Sequence, residues 1–298
     1  MPTVSNICDY EGSRYRYDFW EGQGREYEDL AERIALRRLL PPSGDVLIEI
    51  GAGYGRLADL YSGYRRVVLL DYARSQLEEA QRYIPDPERY IFVVGDAYHL
   101  PFVDGLFDVL TMVRVMHHLP DVPRALSEIH RVTRANGVAI VEYASKHHLK
   151  AILRWHLRRQ AWSPYDLQPV EFVELNYDFH PLWVRQQLEG VGFQIQNVRT
   201  VSHFRVPWLK RLLPPAWLAA MDGLAQPTGS WWQLTPSVFV SAQAQKASVA
   251  PARGFFCCPL CWSVDLLRRD TNLACGSCGR EWRTDGRIYD FKTPVSSP

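Results

Sequence analysis

Residues 46–56 read VLIEIGAGYGR, and this stretch decides the fold. The apolar run around Glu49 has the composition of a strand buried on both faces, and Gly51, Gly53 and Gly55 follow at alternate positions. Glycines let a backbone bend sharply and pass close to a ligand. A helix is expected to open near Arg56, with its free N–H groups facing the same spot. Strand, glycine turn and helix in that order make a nucleotide-shaped ligand site.

Outward from this turn, strands alternate with helices. Strands are expected at 45–50, 65–71, 89–96, 106–113, 137–143, 193–201 and 237–242, with helices near 55–62, 73–84, 121–134 and 181–190. Short, nearly continuous apolar strands between helices predict an α/β fold, its sheet covered by helices on both faces. Residues 1–44 read as an N-terminal helical or lid segment. Within it, 24–40 carry apolar residues at helical spacing until Pro41 and Pro42. Tyr17, Trp20 and Tyr27 could roof a ligand there, though packing of an amphipathic helix is the favoured reading.

Two inserts break the rhythm of the 45–242 domain. Residues 145–180 are basic and aromatic, and 202–236 carry Trp208, Trp217, Trp231 and Trp232. Inserts at the carboxyl ends of strands tend to shape the ligand crevice, so both are expected to form a substrate cap. Lys150, Arg154, Arg158 and Arg159 of the first insert suit a solvated cap helix, with an anionic acceptor, a lipid surface or RNA phosphate as alternatives. Residues 243–254 read as a linker and 255–293 as a separate cysteine-bearing module.

Composition narrows the class. Apolar residues make up 47% of the 298 and the net charge is +1, so no global basic field points to long nucleic-acid tracks. No signal peptide and no run of about 18 apolar residues is visible, which makes a cytoplasmic location the expectation.

Acidic residues then recur at strand ends. Asp71 follows Glu49 by 22 residues, where a carboxylate can accept hydrogen bonds from two ribose hydroxyls. Asp96 follows the third strand in Gly-Asp-Ala, placed for an adenine amino group, with the Ala97 N–H beside it. A nicotinamide-dinucleotide site fits less well. Its glycines would run G-x-G-x-x-G, whereas these run at every second residue.

IEIGAGYGR at 48–56, LLDYA at 69–73, VVGDAYHLPF at 93–102 and FDVLTMVRVMHHLPD at 107–121 together resemble class I S-adenosylmethionine-dependent methyltransferases. The likeness is to the type 11 group that includes ubiquinone and menaquinone methyltransferases. It implies a Rossmann-like seven-stranded sheet whose last strand is antiparallel. The cofactor contacts it implies are Glu49, Gly51, Ala52, Gly53, Gly55, Asp71, Tyr72, Asp96, Ala97, Met112 and Val113. Glu49, Met112 and Val113 would lie by the methionine portion, Asp71 by the ribose and Asp96 by the adenine.

A sulfonium methyl is already activated, so alignment and water exclusion matter most. A base is needed only when the acceptor must lose a proton, and His117 and His118 after the fourth strand are the candidates by topology. The acceptor is expected to be a small apolar or amphipathic molecule. RNA- or protein-directed transfer is the alternative, and a non-catalytic S-adenosylmethionine-binding role the third reading.

The final module reads CCPLCWSVDLLRRDTNLACGSCGREW at 257–282. Cys258 and Cys261 form one C-x-x-C knuckle and Cys275 and Cys278 the second. Four thiolates on two tight turns match structural tetrahedral Zn²⁺, and about 40 residues hold too little core to fold without it. Cys257 is the spare, and a register using it stays open. The module resembles the Trm112-like zinc ribbon, which implies a stabilising or recruiting role fused to its enzyme.

Overall fold

The computed structural model describes residues 7–247, 254–285 and 287–295; half of the expected linker, 248–253, lies outside them. A single π-helical turn at Arg16–Trp20 precedes α1 (Glu26–Leu39), which buries Tyr27, Ala31, Ala35 and Leu39 along one face at four-residue spacing. Leu40, held extended ahead of Pro41, ends it.

β1 (Gly44–Ile50) runs into the glycine turn. No α-helix follows over 55–62, where only a 3₁₀ turn at Ala58–Tyr61 forms. The reason is local: Gly51, Gly53 and Gly55 all hold positive φ, so the chain reverses hand at alternate residues. The N–H groups of the turn are spent on the protein itself, Gly55 donating to the Ala52 carbonyl at 2.9 Å, so no helix end faces the crevice here.

The chain continues through β2 (Tyr64–Asp71), α2 (Arg74–Tyr83), β3 (Tyr90–Val94), β4 (Phe107–Met112), α3 (Val122–Val132) and β5 (Thr133–Ala144). The first insert contributes α4 (Leu149–His156) and a hairpin of β6 (Val170–Val173) and β7 (Asn176–Asp178). After α5 (Pro181–Gly190) and β8 (Phe193–Val201), the second insert forms α6 (Pro207–Leu212) and α7 (Pro215–Ala225). β9 (Ser237–Ala244) closes this domain.

Strand order is β3-β2-β1-β4-β5-β9-β8. The first five are parallel, and β9 enters antiparallel between β5 and β8. The expected seven strands and their antiparallel last member are both present. Strand order reverses between β1 and β4, so the crevice for a ligand opens at their carboxyl ends.

The cysteine module extends this sheet. β10 (Leu266–Arg269), β11 (Asn272–Cys275), β12 (Glu281–Asp285) and β13 (Ile288–Asp290) form an antiparallel ribbon. β13 pairs in parallel with β3, with Ile288 opposite Phe92 and Asp290 opposite Val94. The Phe291 N–H donates to the Val94 carbonyl at 2.8 Å, and Trp282 and Phe291 join the core that holds Val93, Phe102 and Phe107. The ribbon thus shares both sheet and core with the rest of the chain.

Candidate active site

The glycine turn is pinned before any ligand is considered. The Gly51 and Ala52 N–H groups both donate to the Leu70 carbonyl, at 2.8 and 3.0 Å. Asp71 braces the same turn, accepting from the Gly53 N–H at 2.8 Å and the Ala73 N–H at 2.9 Å. Burial still pushes its carboxyl up to about 6, against the pull of those donors. A Cβ at Gly51 would overlap the Val115 side chain, so only glycine fits there.

A cleft opens over this turn. Gly51, Gly53, Asp71, Tyr72, Asp96, Ala97 and Val113 line it. Asp96 is oriented by the Tyr98 N–H at 2.8 Å. Glu49 and Ala52 line an adjoining recess that shares Gly51, Gly53 and Val113 with the cleft. Two sequence candidates stand apart. Gly55 turns against Ile84, and the Met112 side chain is fully buried in the core.

Glu49 is the most informative atom set here. It is almost fully buried, its Oε2 has no hydrogen-bond partner, and burial raises its carboxyl to about 8 against the pull of Arg56. A buried carboxyl oxygen without a partner costs free energy until a polar group or cation reaches it, on the order of 1–3 kcal/mol. Together with Asp71 and Asp96 it forms a donor-seeking row suited to an amino group, a ribose and an adenine amine. The residues present fit the expected cofactor.

Residues of the N-terminal segment other than the aromatics singled out from the sequence lie over the cleft. Ile7, Cys8, Tyr10 and Tyr15 form a strap across it. The strap is tied to α2 by the Gly12 N–H to Ser75 Oγ at 2.8 Å, and to the ribbon's end by Lys292 Nζ to Asp9 at 2.7 Å. Trp20 and Tyr27 take the packing role instead. Trp20 lies beneath the Arg56 guanidinium at 3.8 Å, and the Tyr27 hydroxyl donates to Asp222 at 2.6 Å. The density of tyrosines at 10–17 was the available signal for the strap.

Also unforeseen is a buried ion network. Glu32 of α1 accepts from Arg56 at 2.7 Å and from the Arg114 Nε at 2.9 Å. Burial alone would raise its carboxyl, but Arg114 and Arg56 more than offset that and hold it below the usual range. Breaking such a pair by removing one partner costs about 3–5 kcal/mol. Arg114 sits in the left-handed region (φ 59°), and its N–H donates to Glu142 at 2.9 Å. The network fixes the loops after β1 and β4 to α1, with Arg114 on the wall of the cleft.

A second cavity of about 470 Å³ adjoins the first and shares Tyr10, Tyr15, Arg114 and His118 with it. Phe19, Arg25, His117, Glu142, Phe172, Asp178 and Arg205 complete much of its wall. The aromatics of the second insert do not line it. Trp208, Trp217, Trp231 and Trp232 are all more than half exposed. The cap is therefore built mainly from the β6–β7 hairpin, the start of α4 and the 202–205 segment.

The two candidate bases differ in placement. His118 faces both cavities, whereas His117 faces only the larger. The Leu175 carbonyl lies 2.9 Å from His118 Nδ1 and can only accept, so the proton sits on Nδ1. Its Nε2 is left as an acceptor, 3.2 Å from the Tyr10 hydroxyl. Burial holds both imidazoles below their ordinary range, so both are neutral near pH 7.

The four thiols of Cys258, Cys261, Cys275 and Cys278 lie within 4.8 Å of one another. Cys258 and Cys278 are 3.7 Å apart, Cys261 and Cys275 3.5 Å. Cys257 lies outside this cluster, its thiol on the Phe102 carbonyl at 3.1 Å, and Cys258 stands within it.

Residues 48–141 match the methyltransferase domain family. The chain is 26% identical over 239 residues to 2-methyl-6-phytyl-1,4-hydroquinone methyltransferase of Synechocystis, a match covering 74% of this chain and 67% of that protein. It is 35% identical over 113 residues to demethylmenaquinone methyltransferase of Beutenbergia cavernae, covering 38% and 46%. The chain thus spans about half the length of that second relative. A Listeria monocytogenes structure described as an S-adenosylmethionine-dependent methyltransferase superposes with TM-score 0.53 at 16% identity, covering 74% of this chain and 99% of that one. A chain from the complex of the Haloferax volcanii Trm112 methyltransferase activator with a methyltransferase gives 0.53 at 18%, covering 77% and 98%. At these identities the structural likeness is one of fold, the class I methyltransferase fold.

Proposed function

We propose that this chain, which carries an S-adenosylmethionine-dependent methyltransferase domain on a class I fold, methylates a small amphipathic acceptor held in the 470 Å³ cavity. The observation that carries this is the shared wall. Tyr10, Tyr15, Arg114 and His118 belong to both cavities, so an acceptor seated in one faces a cofactor seated in the other. When bound, S-adenosylmethionine supplies a methyl group on a positively charged sulfur that leaves as a neutral thioether. Glu49, Asp71 and Asp96 would hold it at amino, ribose and adenine groups. The strap excludes water, and the Phe19 and Phe172 rings supply apolar wall to an acceptor.

For an acceptor bearing an acidic O–H or C–H, His118 Nε2 is the proposed proton acceptor, held by the Leu175 carbonyl in the tautomer that leaves Nε2 free. The relatives named for a phytyl hydroquinone and for demethylmenaquinone make a hydroquinone ring with an apolar tail the first class to test. Incubation with methyl-labelled S-adenosylmethionine and a panel of prenylated and unprenylated hydroquinones should label the organic phase. A His118→Gln variant should lower kcat by about 10²-fold with KM for the cofactor unchanged. Label entering only RNA or protein from extract would overturn the small-acceptor reading.

The four-cysteine cluster is proposed to hold one structural Zn²⁺, since four thiolate ligands leave no open position for chemistry. Its proposed role is to hold β13 on β3, and through Lys292 and Asp9 to hold the strap. On this reading the ribbon is a built-in counterpart of the separate activator in the Haloferax complex.

A further inference from the structure

We propose that the two inserts form a docking surface for an anionic lipid bilayer, set around the mouth of the acceptor cavity. Leu149 and Leu153 on α4 and Leu157 at its C-cap recur at four-residue spacing, and each is more than half exposed. Among the described residues nothing covers them. Leu234 is tied to the start of this helix, the Leu149 N–H donating to its carbonyl at 2.9 Å, and the nearby chain carries the exposed Trp231 and Trp232. Trp208 and Leu212 on α6 form a second exposed pair at the same spacing. An exposed apolar group of this extent is unusual on a solvent-facing surface and marks an interaction site.

Charge identifies the occupant. The chain as a whole carries a net +1, yet residues 146–159 hold Lys146, Lys150, Arg154, Arg158 and Arg159 with no acidic residue. Residues 203–213 add Arg205, Lys210 and Arg211, again with no acid. Of these, Arg205 and Lys210 pair with Glu28, whereas Lys150, Arg154, Arg158, Arg159 and Arg211 have no acidic partner among the described residues. Basic heads beside exposed leucine and tryptophan suit a negatively charged headgroup layer with acyl chains beneath it. Tryptophan prefers that boundary, and leucine gains nothing from a phosphate backbone, which disfavours RNA as the occupant.

Placement links the surface to the site. His148, which caps α4, lines the acceptor cavity together with Arg205 and Pro236, so the same elements carry the exposed fringe and the cavity wall. A lipid-borne acceptor could pass from the bilayer head-first without crossing water. That use rests on the methyltransferase reading; the surface itself does not. No helix among the described residues is long and apolar enough to cross a membrane, so contact is with one face of the bilayer.

Sedimentation of the full chain with phosphatidylcholine vesicles, with and without about 30 mol% phosphatidylglycerol, tests this directly. Binding is expected to the anionic vesicles and to weaken at least about tenfold both in Leu153→Gln/Leu157→Gln and in Lys150→Gln/Arg154→Gln. These side chains are exposed, so melting temperature and S-adenosylmethionine affinity should stay as in the parent. Absence of sedimentation with anionic vesicles overturns the proposal, as does binding by either variant as strong as the parent's, or retention on single-stranded RNA without binding to vesicles. Loss of cofactor affinity in the parent would instead sink the methyltransferase reading and leave the surface standing.

Discussion

Glu49 ties sequence to chemistry most closely at the scale of single residues. Its carboxyl stands at about 8 in the folded chain, against about 4.3 in an unfolded one. The folded state therefore keeps a proton that the unfolded state has released, and the ligand-free protein loses stability as pH rises between those values. A cofactor bearing a sulfonium and an ammonium favours the carboxylate, so its affinity should rise with pH over the same window. Calorimetry near pH 7, in buffers of different ionisation enthalpy, should show close to one proton released per S-adenosylmethionine bound, and none for Glu49→Gln. A parent protein that releases no proton would contradict this. The motif led to the strand ends where Glu49, Asp71 and Asp96 line the cleft and its recess, because position there follows from chain direction. It could not foresee Arg114 or Glu32, whose meeting depends on how α1 packs across the sheet ends.

Elements were legible wherever periodicity was strong. α5 lies at 181–190 and β8 at 193–201, matching the sequence expectation to the residue. The helix expected at 55–62 failed because three positive-φ glycines leave no room for helical hydrogen bonds before Ala58. Parallel addition of β13 to β3 was hidden for a different reason: an edge pairing depends on which strand edge is left open, and composition does not record it. That pairing carries a prediction. Cys275→Ser, or removal of the proposed zinc by chelation, should free β13 from β3 and speed amide exchange at Phe92, Val93 and Val94 by about tenfold or more. Mass spectrometry of exchanged peptides reads this, and unchanged protection would show that the ribbon does not brace the sheet.

Across the whole molecule, two halves of one reaction are written in different ways. The proposed donor side is encoded locally, in a turn and three strand ends, which the chain's own pattern picks out. The cavity proposed for the acceptor is assembled from residues as distant in sequence as Tyr10, His118, Phe172 and Arg205, so no stretch announces it. The tryptophans expected to roof that cavity face outward instead, which moves the apolar character of the inserts from the pocket to the surface. The central claim is that the cleft over Gly51 and Gly53 holds S-adenosylmethionine through Asp71. Isothermal titration of the full chain should give one bound S-adenosylmethionine per chain. Asp71→Asn, which keeps an acceptor for the Gly53 turn, should weaken binding about 30- to 100-fold, the worth of a charged hydrogen-bond pair at about 2–3 kcal/mol, with melting temperature held. Binding of equal strength in the variant, or no binding by the parent, would contradict the account.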